Sequence, residues 1–119
     1  MEEARVLTVV KKIMNNRDKV TNVINHGGGD YWFLYDNKHK WFLRKRGPGF
    51  DLRLYNKGDY DYEQLSKRED YDELEYSEFC TSDIRDPEHL PTIKNLYNVI
   101  KYKDRDFDED FTDILSDGN

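Results

Sequence analysis

The sequence predicts an α+β fold: a three- to four-stranded antiparallel sheet packed against an N-terminal helix and a C-terminal helix. Three observations lead there. Apolar residues recur every three to four positions near both ends of the chain, the signature of helices with one buried stripe. Between them, segments alternate with a period of two and are separated by turn residues, as strands are. At 119 residues the chain has the length of one domain, so residues 1–119 are read as a single small domain.

Val6, Val9, Val10 and Ile13, then Val20, Val23 and Ile24, share helical spacing, which predicts a helix over 3–25. Asn15-Asn16 is the expected bend, because asparagine competes for backbone hydrogen bonds. His26-Gly27-Gly28-Gly29 is read as the glycine stop of that helix. Strands follow over 30–35, 40–46 and 50–55, divided by Asp36-Asn37-Lys38-His39 and by Gly47-Pro48-Gly49, both turn signals.

Alternation sorts the faces. Phe50, Leu52 and Leu54 oppose Asp51, Arg53 and Tyr55; Trp41 and Leu43 oppose Phe42, Arg44 and Arg46. The first strand is aromatic on both faces, with Tyr31, Phe33 and Tyr35 against Trp32 and Leu34. Tyr62–Lys67 fits a short helix, and 74–81 alternates as a fourth, edge strand. Asp86-Pro87-Glu88 marks a helix start, with Ile93, Leu96, Tyr97 and Ile100 as its buried stripe. The acidic C-terminal segment 104–119 is read as loosely packed, with a short helix over 106–115.

Composition sets bounds on function. The chain is 37% charged and 36% hydrophobic, a balance that leans toward disorder. Its 14% aromatic content argues for a packed core, since each ring buries roughly 150–250 Å². One cysteine, Cys80, excludes an internal disulfide framework. The opening residues lack the basic and apolar regions of a secretory leader, and no stretch approaches a membrane span. The expected compartment is the cytoplasm, of a cell or of an infected host.

No catalytic signature survives inspection. His26-Gly27-Gly28-Gly29 matches the letters of an esterase oxyanion loop, but no serine lies between glycines to serve as nucleophile. Asp104, Asp106, Asp108 and Asp110 begin like a calcium loop, yet Glu109 and Leu115 stand where that loop needs glycine and a closing glutamate. His39, His89 and Cys80 lack metal-ligand spacing. The expectation is a protein that is not an enzyme and has no cofactor and no metal.

Charge carries the positive signal. Residues 1–58 hold 12 Lys+Arg against 6 Asp+Glu, and residues 59–119 hold 7 against 19. The acidic half interleaves carboxylates with tyrosines: Asp59, Tyr60, Asp61, Tyr62 and Glu63, then Asp70, Tyr71, Asp72, Glu73 and Glu75. Carboxylates spaced over a rigid surface imitate phosphates, and tyrosine supplies rigid contact area. These residues predict a non-enzymatic, acidic protein-binding module that inhibits or regulates a basic partner, of the immunity or phage counter-defence type. The partner would be a nucleic-acid-handling enzyme or a toxin, with Tyr60, Tyr62 and Tyr71 as apolar anchors.

A second reading uses the basic half. Phe42, Arg44, Arg46, Arg53 and Tyr55 share one predicted sheet face, and cations among aromatics on an open sheet suit single-stranded nucleic acid or another anionic ligand. The net charge of −6 opposes it. The edge strand near residues 75–79 is where a homodimer would form.

Overall fold

Val6, Leu7, Val10 and Ile13 are the buried residues of helix α1 (Glu3–Asn15) in the computed structural model, which describes residues 2–56 and 59–104. The helix ends at the predicted bend. Asn16 Nδ2 donates to the Lys12 carbonyl at 2.8 Å, and a single 3₁₀ turn (Arg17–Lys19) leads away.

The sequence beyond that bend is a strand, not more helix. Strand β1 (Val20–Gly27) pairs antiparallel with β2 (Asp30–Tyr35). The register shifts between Thr21 and Ile24, where Asn22 has φ +53°. This bulge explains the misleading spacing. Val20 and Val23, three apart, pack into one core, and Ile24, four from Val20, packs into the other on the opposite side of the sheet. His26-Gly27-Gly28-Gly29 accordingly forms the β1–β2 hairpin and caps no helix. Gly29, at φ +145°, leaves a gap in which an added Cβ would sit 3.0 Å from the Tyr97 hydroxyl.

Strands β3 (His39–Arg46), β4 (Gly49–Leu54) and β5 (Ser77–Cys80) complete a five-stranded sheet. The order is β1-β2-β3-β4-β5, with every neighbour antiparallel. The extra strand over the predicted three or four is β1. Asp36 and Asn37 turn β2 into β3 with φ +56° and +60°, a left-handed pair that these side chains tolerate. Gly47, at φ +54°, begins the turn into β4.

Helix α2 (Tyr62–Lys67) is capped by Asp61, and helix α3 (Leu90–Asp104) follows a 3₁₀ turn that begins at Pro87. Ile93, Leu96, Tyr97 and Ile100 are the buried residues of α3. Together α1 and α3 cover one sheet face, over a core of Tyr31, Phe33, Trp41, Leu43, Phe50 and Leu52. Glu3 ties α1 to the turn that leads into α3 by accepting from the Arg85 and Asp86 amides and from His89 Nδ1. The Arg85 amide, followed by His89, holds the Glu3 carboxyl below its usual range.

A second core lies on the opposite face. Trp32, Phe42 and Tyr55 from the sheet pack with Tyr62 and Leu65 of α2, flanked by Tyr60, Tyr71, Leu74 and Tyr76. Residues 59–76 thus form a third layer. No helix among the described residues is long and apolar enough to cross a membrane. The expected helix over 106–115 and all but the first of the calcium-like acids lie outside the described residues.

Candidate protein-binding surface

The third layer is built by inward tyrosines. Tyr62 is buried and donates its hydroxyl to the Asn22 carbonyl of β1 at 2.5 Å. Tyr55, on the sheet, reaches out and donates to the Tyr71 carbonyl at 2.9 Å. Tyr71 meets the ring of Phe42 at 5.1 Å and that of His26 at 5.0 Å between centroids, and His26 Nδ1 lies 3.2 Å from the Ser66 carbonyl oxygen. The layer is therefore hydrogen-bonded to β1 and to Tyr55 just beyond β4, and its Tyr71 ring packs on Phe42 of β3. Burial raises the phenol pKa of Tyr55 to about 12 and also raises those of Tyr62 and Tyr71.

Arg53 is the electrostatic centre of this junction. It is 4% exposed, and its Nε and Nη1 donate at 2.5 Å to Glu78 of β5 and to Asp72 of the layer. Nη1 also donates to the Tyr55 hydroxyl at 3.3 Å, and the guanidinium lies 4.3 Å from the Tyr76 ring centroid. Desolvation opposes the charge, but the bonds to Glu78, Asp72 and Tyr55 outweigh it and lift the pKa above the ordinary arginine value. Arg44 and Arg46 converge instead on buried Asp51, at 3.0 and 3.1 Å.

These placements correct two expectations. Phe42, Arg53 and Tyr55 do not share an open face; they lie beneath the layer, with Arg44 half-buried beside them and Arg46 exposed at the margin. The anchors Tyr60, Tyr62 and Tyr71 turn toward the sheet and attach the layer to it. One physical reason underlies both corrections. Trp32, Phe42 and Tyr55 form too much apolar surface to leave in water, so the tyrosines cover it.

The carboxylates go the other way. Asp59, Asp61, Glu63, Glu69, Asp70, Asp72, Glu73 and Glu75 are all exposed. Asp72 is tied to Arg53, and Asp70 to Arg68 at 2.7 Å, which holds the Asp70 carboxyl below its usual range. The other six form no ion pair among the described residues. Residues 59–76 carry eight acids against Lys67 and Arg68, so the outer surface of the layer is strongly negative.

One group of metal-ligand type occurs among the described residues: Asp51, Glu78 and Cys80, with ligand atoms within 4.8 Å of one another. Its carboxylates are already held by Arg44, Arg46 and Arg53. Burial, reinforced by Asp51, raises the Cys80 thiol to about 12, so it stays protonated and ill suited to metal. Glu78 was not singled out by the sequence analysis. Its signal is positional, since it stands opposite Arg53 in the β4–β5 register. Compared with known protein families, curated proteins and solved structures, the chain matches none.

Proposed function

We propose that this protein is a non-enzymatic acidic binding module that inhibits or regulates a basic protein partner through the outer surface of residues 59–76. One observation carries the reading: within a single layer, tyrosines point into the sheet while the carboxylates between them remain in water. The layer is bonded to β1 and, through Asp72, to Arg53 of β4, which also holds Glu78 of β5. Such a surface meets a partner with little ordering left to do, which favours affinity. Its unpaired charges would steer a cationic partner and speed association. Nucleic-acid binding on the sheet would require Arg53, Phe42 and Tyr55 to be uncovered first.

The test is paired affinity capture from the native source. Wild type is compared with a variant carrying Asp59→Lys, Asp61→Lys, Glu63→Lys and Glu73→Lys, all on exposed side chains. A basic protein retained by wild type and lost by the folded variant supports the reading. Retention of the same proteins by both excludes the acidic surface.

A further inference from the structure

A groove of about 480 Å³ lies between α1 and the end of the sheet where β2 and β4 finish. Val6 and Val9 of α1 line it together with Tyr35, Trp41 and Leu54, and Val9 is left 39% exposed. Apolar surface gathered in one groove marks a docking site. Arg5 and Lys12 also line it, exposed and outside any ion pair among the described residues, with Glu2 the one acid there. A fitting occupant is apolar along one side and negatively charged beside it.

The chain carries such a segment, and α3 delivers it to the groove. Lys103, in the last turn of α3, donates its Nζ to the Val20 carbonyl at 3.0 Å. Val20 is the register partner of Tyr35, about 5 Å away across the β1–β2 ladder. Fifteen residues follow Asp104, with six acids against Arg105 alone. Among them Phe107, Phe111, Ile114 and Leu115 have the spacing of one helical stripe. At about 100° per residue, Asp108 and Asp110 fall on either side of that stripe.

Reach and length agree as well. Three extended residues beyond Asp104 cover roughly 10 Å, enough to bring Phe107 past Val20 to the groove. As a helix, Phe107 to Leu115 would span about 12 Å, against about 11 Å from Arg5 to Lys12 along α1. Entry is at the Lys12 end, because α1 leads through Arg17–Lys19 into Val20.

We propose that residues 105–119 fold back into this groove, antiparallel to α1, with Phe107 and Phe111 against its apolar lining and the flanking carboxylates facing Lys12 and Arg5. Docking covers the groove and neutralises cations of α1. It is independent of the role proposed for residues 59–76.

The experiment treats the full chain with a water-soluble carbodiimide, which joins carboxylates to amines already in contact, and maps the links by mass spectrometry. Lys12 should link to an acid of residues 106–113 within one chain, and a mixture of ¹⁴N and ¹⁵N protein should give no mixed link. Phe107→Ala combined with Phe111→Ala keeps every charge and should slow that link about tenfold. Val9→Asp, at an exposed position on the groove side, should slow it likewise. The proposal is overturned if Lys12 forms no link to the segment, or if the link forms at the wild-type rate in either variant. A link that joins two copies would also overturn it, by assigning the groove to a second chain.

Discussion

Arg53 on β4 and Asp72 in the covering layer form a 2.5 Å ion pair in which the arginine side chain is 5% exposed and the aspartate 56%. The bond joins the basic half of the chain to the acidic half, as the neighbouring Arg53–Glu78 pair also does. Around it most carboxylates of the layer keep their charge in water, so the charge asymmetry of the sequence persists as a surface property of the folded protein.

Replacing Arg53 removes the cation from Asp72 and Glu78 and leaves the Tyr55 hydroxyl without one of its partners. Arg53→Ala should destabilise the protein by about 3 kcal/mol, the low end for a broken buried pair because Asp72 remains half in water. Urea denaturation measures it. A loss below about 1 kcal/mol would mean that the pairing behaves as an ordinary surface salt bridge.

Tyr62→Phe keeps the ring in the second core and removes only the bond to the Asn22 carbonyl. The expected loss is about 1 kcal/mol. Hydrogen exchange should speed up in residues 59–67 and in β1 while the amides of α3 are unaffected. Uniform acceleration across the chain would show that the layer is not a separable unit.

High pH should open the same layer. Burial raises the Tyr55 phenol to about 12, with Tyr62 and Tyr71 shifted in the same direction. A neutral acid favoured by folding adds stability that is complete below the ordinary phenol value of about 10 and fades as pH rises through the folded value. Spectrophotometric titration should therefore find several tyrosines ionising late, with the layer loosening between about pH 10 and about 12. Nine tyrosines titrating together at the ordinary value would contradict the buried placements.

Gly49 stands where β5 closes on β4. A Cβ there would lie 2.2 Å from Thr81 Oγ1, which accepts the Phe50 amide at 2.8 Å. Gly49→Ala should lower stability by about 1–3 kcal/mol, the range for overpacking, whereas Gly47→Ala meets no neighbouring atom and suffers only from its positive φ. Thermal melts of the two variants separate the effects.

Much of this fold was legible because alternation is an unambiguous signal. Strands β2, β3 and β4 have the faces that period-two sorting assigns, and Ile93, Leu96, Tyr97 and Ile100 are the buried stripe of α3 as spaced. β1 was hidden by its bulge, which turns strand alternation into helix-like spacing around Asn22. The covering layer has no repeating pattern beyond one short helix, so nothing periodic announces that its tyrosines face inward. The clue lay on the sheet. Trp32, Phe42 and Tyr55 occupy the second face of three adjacent strands, and large aromatics on both faces mean that both are covered. Arg53 sits among them, so its burial follows from its neighbours and cannot be read from its own residue type.

The most direct measurement is the association rate between this protein and the basic partner recovered by capture, followed by stopped flow across a salt series. If exposed carboxylates of residues 59–76 do the recognising, the rate falls at least about tenfold between low and high ionic strength, and the four-lysine variant associates slowly at every salt concentration. A rate indifferent to salt, or unchanged by reversing those four charges, would contradict the account.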